Sequence, residues 1–489
     1  MTVIPVYGCC LLDINIRHMS SSSSIMIIPP KRKRPVFSGI LLLLITSIVL
    51  LIENNIAVFI VTGLWFLLGV LLIKISFPRV NRHESYRLWL LFFTIYYLYM
   101  IITNYVYVRD PNSDFFFHFD SLDFYTVTDS LIRQKVNLEM FDWEFYRIKN
   151  YPGFAFLSWL LGRIANMMGE VNSIVLQKTQ IVFTCAMTII FLYNIGRLYL
   201  PHKRTWIIAV TFGLLTHIFA FSGTYTRDPH ILLFFVIGFY IFMSEWKFRN
   251  LILLVLVGFL VAQFRMQHGL FFIAFISAYL FVRIKKFKNK IASFLLGIVF
   301  IMGFVASIVF NFEAYGEDTV EKVELYQEYH ERKFEKSSGF TALVNRLPGV
   351  LQPFGNIVIS QTYPYPPDRA IYVSVIGQNQ YLLFPLVISQ MYWILVWGVL
   401  IYGFFYKKYR TIIPQQLKYA LAIAVLLLVA VCTGSYEYRR MMGAYPILYL
   451  VAAYIYYNLD KKKRKTLIQN IVLFQLGAFA LYVVAKEML

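Results

Sequence analysis

RLWLLFFTIYYLYMIITNYVYVRDPNSDFFFHFDSLDFY, residues 87–125, decides how this chain is read. To about residue 107 it is an almost unbroken apolar run, close to the roughly twenty residues an α-helix needs to cross a hydrocarbon core about 30 Å thick. Its second part gathers Asp110, Asp114, Asp120, Asp123 and His118 among the rings of Phe115, Phe116, Phe117, Phe119, Phe124 and Tyr125. A span that opens onto such a segment places carboxylates at a membrane surface, in surroundings too aromatic for a simple solvated loop.

Working outward, apolar runs of similar length recur along all 489 residues. The chain is 59% hydrophobic and 15% charged, with a mean hydropathy of +0.61; soluble domains carry about 25% charged residues. The pattern predicts an all-α fold, a polytopic transmembrane bundle of about thirteen spans, with interfacial helices in a large first outer loop. No composition break marks a soluble domain. The net charge of +20 does not indicate nucleic acid, because the basic residues form short runs between spans. That is the positive-inside pattern, with added attraction to anionic lipid. Cys185 and Cys432 fall in apolar spans and Cys9 and Cys10 in the N-terminal tail, a spacing that gives neither a disulfide framework nor a zinc site.

The basic runs set the topology. Residues 1–36, with SSSSIMIIPPKRKRP, read as a cytoplasmic tail without signal-peptide order. Spans follow at about 38–53, 56–76 and 86–107, with IENN outside and KISFPRVNRHESYR inside. The acidic segment then emerges on the extracytoplasmic face, within an outer loop at 107–150. The stretch 152–167 is read as lying in the interface. A crossing there would invert HKR (202–204), EWKFR, RIKKFKNK, FYKKYR and LDKKKRK together. On this reading YTRDPH (225–230), FRMQHG (264–269) and GSYEYRRMMGAYP (434–446) share the outer face. So does a long loop at 313–379, read as a lid: first a charged helical run, then RLPGVLQPFGNIVISQTYPYPPDR, read as irregular from its prolines and aromatics. Residues 380–489 form the C-terminal transmembrane helices.

The candidate chemistry lies on that outer face. A helix beginning near Asp120 puts Asp120 and Phe124 on one face, and makes Phe124, Val127 and Leu131 a stripe facing the membrane. Asp120 at the helix N-terminus has a capping role open to it. A carboxylate in a half-apolar pocket can also act as a general base; Asp120 is the first candidate and Asp114 the second. Arg227, Arg265, Arg439 and Arg440 stand at outer span ends, against the positive-inside bias, with His230 and His268 beside two of them. Snorkelling to headgroups is the ordinary explanation for each alone. Together they form a candidate phosphate site with His268 and Asp228, since planar guanidiniums engage phosphate bidentately; Asp228 either orients Arg227 or forms a second acidic element. No metal-ligand set is legible. The cofactor is left open: a divalent metal fits the acids but is not required.

Several stretches carry a family resemblance. Asp120, Phe124 and Leu131 match an acid in a first outer loop, an aromatic four residues on, and an amphipathic helix. YPGFAFLSWLLGRI, YNIGRLYLP, SGTYTRDPHILLFF and GSYEYRRMMGAYPILYLVAAY follow in order. From about 105 to 285 the chain resembles the polyprenyl-phosphate-sugar-dependent integral membrane glycosyltransferases of the GT-C superfamily. That superfamily includes protein mannosyltransferases and lipid A aminoarabinose transferases. Residues 37–312 would then be the GT-C-like transmembrane module. The resemblance implies transfer of a sugar from a polyprenyl-phosphate donor to a glycan, lipid or protein acceptor at the outer face of the cell membrane, in cell-surface polysaccharide biosynthesis. The partners would be that lipid-linked sugar and membrane lipids. The chain departs from the pattern in two extra spans before the acidic loop, spaced aspartates where an Asp-Glu pair is common, and no HPP or KPP motif. It is also similar to Wzy-type repeat-unit polymerases in span number, outer loop and outer arginines. A lipid-linked glycan flippase or transporter is the rival of another class. It would need broken helices and polar groups near the midplane, for which His217 and Gln263 are the candidates.

Overall fold

The computed structural model describes residues 36–105, 119–134, 138–143, 151–245, 247–284, 344, 347–348, 351–362, 383–432 and 438–488. Among the described residues all regular structure is helical. The tail to residue 35, the segment 106–118 with Asp110, Asp114 and His118, and most of 313–379 lie outside them.

Seventeen α-helices and two 3₁₀ turns make up the described chain. The first three are α1 (Val36–Glu53), α2 (Ile56–Ser76) and α3 (Arg79–Tyr105). Asn55 opens α2 as a true N-cap: its side chain accepts from the backbone N–H groups of Ala57 and Val58 at 3.0 and 3.4 Å. α3 reaches back into the stretch read as a cytoplasmic loop, so that loop is mostly helix, braced by an Arg87–Glu84 pair at 2.9 Å.

At the centre stands α6 (Ile174–Gly196), preceded by α4 (Phe119–Arg133) and α5 (Pro152–Met167). Every residue of α6 is buried, and α2, α3, α7 (His202–Leu215) and α9 (Asp228–Met243) pack around it. Its threonines satisfy their hydroxyls on their own helix, as Thr179 does on the Leu176 carbonyl at 2.6 Å and Thr188 on that of Thr184 at 2.8 Å. Close approach of neighbours is bought with glycine: a Cβ on Gly213 of α7 would lie 2.2 Å from the Phe92 ring.

The remaining helices are α8 (His217–Phe221), α10 (Phe248–Phe264), α11 (Met266–Ile284), α12 (Gln352–Thr362), α13 (Leu383–Phe405), α14 (Lys407–Ile412), α15 (Gln415–Cys432), α16 (Tyr445–Asn458) and α17 (Lys461–Met488). Among the described residues five stretches are long and apolar enough to cross a membrane: Ile56–Ser76, Arg79–Tyr105, Ile174–Gly196, Pro385–Phe405 and Gln415–Cys432. Gly39–Glu53, Asp228–Met243 and Phe248–Phe264 are apolar but shorter. The difference from the thirteen spans expected has local causes. The helical stretch after HKR is interrupted at Thr216, giving α7 and α8, and residues 285–343 lie outside the description.

Contacts sort the connections onto two ends of the bundle. At one end Asn81 donates to Asn194 at 3.2 Å, Tyr199 to Gln416 at 3.3 Å, and Arg204 reaches the Tyr457 carbonyl at 3.5 Å. The basic runs at 202–204, 407–410 and 461–465 are at or beside these contacts. At the other end Tyr105 donates to Glu53, Asn55 to the Val171 carbonyl at 2.8 Å, and the Ile56 N–H to Glu170 at 3.0 Å. α5 starts at this second end, beside Arg227, and its C-terminal loop returns to Asn55 at the same end. It therefore lies across the end of the bundle.

Two sequence expectations are corrected. The stripe of α4 faces protein, not lipid: Phe124 is buried, with its ring 5.1 Å from that of Phe154 and 4.7 Å from that of Tyr151. Val127 and Leu131 pack partly buried against the same core. α5 lies alongside and covers that face. Within the stretch read as irregular, α12 is a regular helix. Its proline, Pro353, sits in the first turn, where a missing N–H costs nothing.

Candidate functional site

The predicted arginines meet, and they meet on a carboxylate. Asp228 is the first residue of α9, with Pro229 next to it in the opening turn, and a helix N-terminus favours an anion there. α10 ends at Phe264, and Arg265 takes an extended conformation before α11 begins. That interruption carries the Arg265 guanidinium to 3.1 Å from Asp228 Oδ1. Arg439, from a 3₁₀ turn at Tyr438–Ala444, places its own Nη1 3.8 Å from Oδ2. All three side chains are buried. Asp228 thus engages Arg265 and Arg439, and Arg227, its neighbour in sequence, is also among the cations around its carboxylate.

The turn bearing Arg439 is pinned on both sides. The Tyr445 hydroxyl donates to the Tyr438 carbonyl at 3.1 Å. His268 Nε2 lies 2.9 Å from the Arg440 carbonyl. A carbonyl can only accept, so Nε2 carries the proton. His268 therefore holds backbone beside the arginines. The Arg440 side chain is half-buried.

Arg227 links this cluster to the acidic segment. Its Nη1 donates to the Phe264 carbonyl at 3.3 Å, and its guanidinium lies 5.6 and 5.8 Å from the ring centroids of Phe124 and Tyr151, within cation–π range. His230 stacks on Phe264 at 4.9 Å. The helix expected to begin near Asp120 runs Phe119–Arg133, so Asp120 lies on it one turn before Phe124. Asp114 is outside the described residues.

Three further groupings were not singled out by sequence. A polar chain ties α4 to α6: Tyr125 donates to the Asn172 carbonyl at 3.1 Å, Asn172 to Asp129 at 3.3 Å, and Gln177 to Asn172 at 2.7 Å and to the Ser158 carbonyl at 2.9 Å. Burial, and then the Asp129 carboxylate, push the Tyr125 hydroxyl up to about 12, so it stays a donor. Tyr225 closes the chain on Ser158 Oγ at 2.6 Å. Lys178, buried in α6, donates to Asn104 at 3.4 Å; a lysine inside an apolar run was the available signal.

The third grouping is uncharged. Gln361 of α12 accepts from Trp393 Nε1 at 2.6 Å and Trp397 Nε1 at 3.2 Å, and donates to Tyr445 at 3.2 Å and to Met441 Sδ at 3.5 Å. Gln390 donates to the Gln361 carbonyl. His217, at the break after Thr216, packs against Tyr438, Tyr445 and Trp393. A glutamine within ISQT gives no sequence signal of such a role.

No family model matches this chain, and no curated protein matches it. Among the described residues no group of three or more His, Cys, Asp or Glu could hold a metal ion. The site combines a buried carboxylate ion-paired with two guanidiniums, fixed backbone around them, and an acid-bearing helix reached through Arg227 and Phe124. A guanidinium carries more N–H donors than one carboxylate contact uses, so a paired arginine can still donate to a second anion.

Proposed function

We propose that the protein is a membrane glycosyltransferase that takes its sugar from a polyprenyl-phosphate-linked donor at the outer face of the cell membrane. The observation that carries this reading is the meeting of Arg265 and Arg439 on Asp228, at the bundle end where α3 leads into the acidic, aromatic segment. In the proposed step an acceptor hydroxyl attacks the anomeric carbon. Its proton passes to the carboxylate of Asp120. The bond from that carbon to phosphate oxygen breaks, and polyprenyl phosphate leaves with its charge stabilised by the arginines. Residues 37–312 form the transferase module, and 313–379 cover it. Three crossings from a cytoplasmic N-terminus bring the acidic segment outside, in a bundle of about thirteen spans.

A deletion strain tests this directly. Mass spectrometry of its lipid-linked glycans should show accumulation of a polyprenyl monophosphate sugar and loss of one sugar from a surface glycan. An unchanged glycan profile overturns the reading, and accumulation of a diphosphate-linked oligosaccharide points to a polymerase instead. With purified protein, Asp120→Asn should lower turnover about 10²–10⁴-fold; near wild-type turnover moves the base to Asp114.

One observation favours transport of a lipid-linked glycan as the second reading. The helix break at Thr216 puts His217 in the interior, where neither ring nitrogen has a well-formed hydrogen bond, beside Gln390, whose Oε1 also lacks one. Interrupted helices with buried polar groups are common at transport sites. That reading predicts donor trapped on the cytoplasmic leaflet of the deletion strain.

A further inference from the structure

The arginine turn and α12 are joined by a short relay. Gln361 Nε2 donates to the Tyr445 hydroxyl at 3.2 Å. That hydroxyl donates to the Tyr438 carbonyl at 3.1 Å. Tyr438 is the residue immediately before Arg439. On the other side of Arg439, His268 holds the Arg440 carbonyl. Two hydrogen bonds thus bracket the guanidinium that reaches Asp228, and one of them is set by a side chain carried on the long outer loop.

Gln361 is built to hold this position. Its amide oxygen takes both indole N–H groups, from Trp393 and Trp397, which leaves its NH₂ aimed at Tyr445 and Met441. Met441 lies on the same 3₁₀ turn as Arg439. The indoles also fix which end of the amide faces the tyrosine, because an indole can only donate. α12 has a second, separate anchor, Asn356 Nδ2 to the Cys432 carbonyl at 3.0 Å. Its outward residues, Phe354 and Val358, are exposed. The helix is therefore seated by several polar contacts, through Asn356 and through Gln361 with Trp393, Trp397 and Gln390, and those made by Gln361 Nε2 reach the arginine turn.

We infer that Gln361 is a positioning residue: through Tyr445 it sets the backbone that presents Arg439, so that placement of the Gln361 amide, and not the packing of α12 as a whole, readies the arginine turn. The inference rests on the proposed phosphate role of the arginines for its consequence, though not for its geometry. A loop helix that packs only as a cover would leave the turn unchanged when the relay is cut.

The test cuts the relay in two places and reads the turn without any ligand. Gln361→Met removes both donor and acceptor. Tyr445→Phe removes only the hydroxyl and keeps the ring that packs on Trp393 at 4.4 Å. Asn356→Ala loosens the other anchor. Hydrogen exchange of the peptide covering 438–444 should speed up roughly fivefold to tenfold in the first two variants, as loss of one hydrogen bond implies. It should stay near wild type in Asn356→Ala. Unchanged exchange in Tyr445→Phe overturns the inference, whatever the protein's function.

A second arm measures binding of a short-chain polyprenyl phosphate against the matching polyprenol. Gln361→Met and Arg439→Lys should each weaken phosphate-selective binding, and together by less than the product of their separate effects. Multiplicative losses overturn the relay. No phosphate preference in the wild type overturns the function reading, and the exchange arm still decides the inference.

Discussion

Two buried polar nodes lie side by side at one end of this bundle, and they are built on opposite principles. The node around Asp228 is ionic and sparse: two guanidiniums approach one carboxylate at 3.1 and 3.8 Å. The node around Gln361 is neutral and dense: indole, phenol and amide groups saturate a single side chain. The segment 438–445 belongs to both. Ionic nodes are costly to break, because removing one partner strands a buried charge. Neutral nodes lose one bond at a time. The first kind suits a site that must present charge, the second a joint that must be seated and unseated.

Replacement of Asp228 should produce the largest effect. Asp228→Asn leaves Arg265 and Arg439 facing a neutral amide, and should cost about 3–5 kcal/mol, read as a lowered midpoint of chemical unfolding in mixed micelles. A loss under about 1 kcal/mol would mean that the charges are solvated and that the contrast between the nodes is false.

Within the neutral node, Trp393→Phe deletes the shorter of two donors to Gln361 and some packing. The expected loss is about 1–3 kcal/mol, with the larger change in the exchange of 352–362. A loss as large as that of Asp228→Asn would show this node to be no more forgiving than the ionic one.

His217→Phe should have the smallest effect. The ring already packs among aromatics, at 5.1 Å from Tyr438 and 5.7 Å from Tyr445. Exchanging buried nitrogens without well-formed bonds for carbon of similar shape should change stability by less than about 1 kcal/mol in either direction. A clear loss of transport or turnover with stability intact would instead make His217 a working polar group, and strengthen the transport reading.

The charged node was legible because charge is conspicuous in an apolar chain. Arg265, Arg439 and Asp228 stood out at span ends, and the basic runs put them on one face. Their actual partner was not legible. Asp228 adjoins Arg227 in sequence, but a helix N-terminus directs its carboxylate across to two other segments. Gln361 was invisible for the complementary reason: its importance comes from what surrounds it, and glutamine among prolines and aromatics reads as loop. The stripe on α4 was read with the correct period and the wrong neighbour, since amphipathic spacing cannot say whether lipid or α5 lies opposite Phe124. The break at Arg265 falls where FRMQHG marks a span end, whereas the one at Thr216 has no proline or glycine at the break itself to announce it.

The complete enclosure of α6 has a consequence for how the chain is made. A helix carrying Gln177, Lys178 and Gln180 in its first two turns is better housed by protein than by lipid. Its partners α2 and α3 are synthesised before it, but α9 follows only after roughly fifty more residues, several seconds of translation at about 5–20 residues per second. During that interval one flank of α6 has no permanent neighbour. The nascent helix must wait against α2 and α3, or against the insertion machinery, until α9 arrives to close it in. Synthesis order thus makes the arrival of α9, the same helix that carries Asp228, the step that commits the N-terminal half to its final packing.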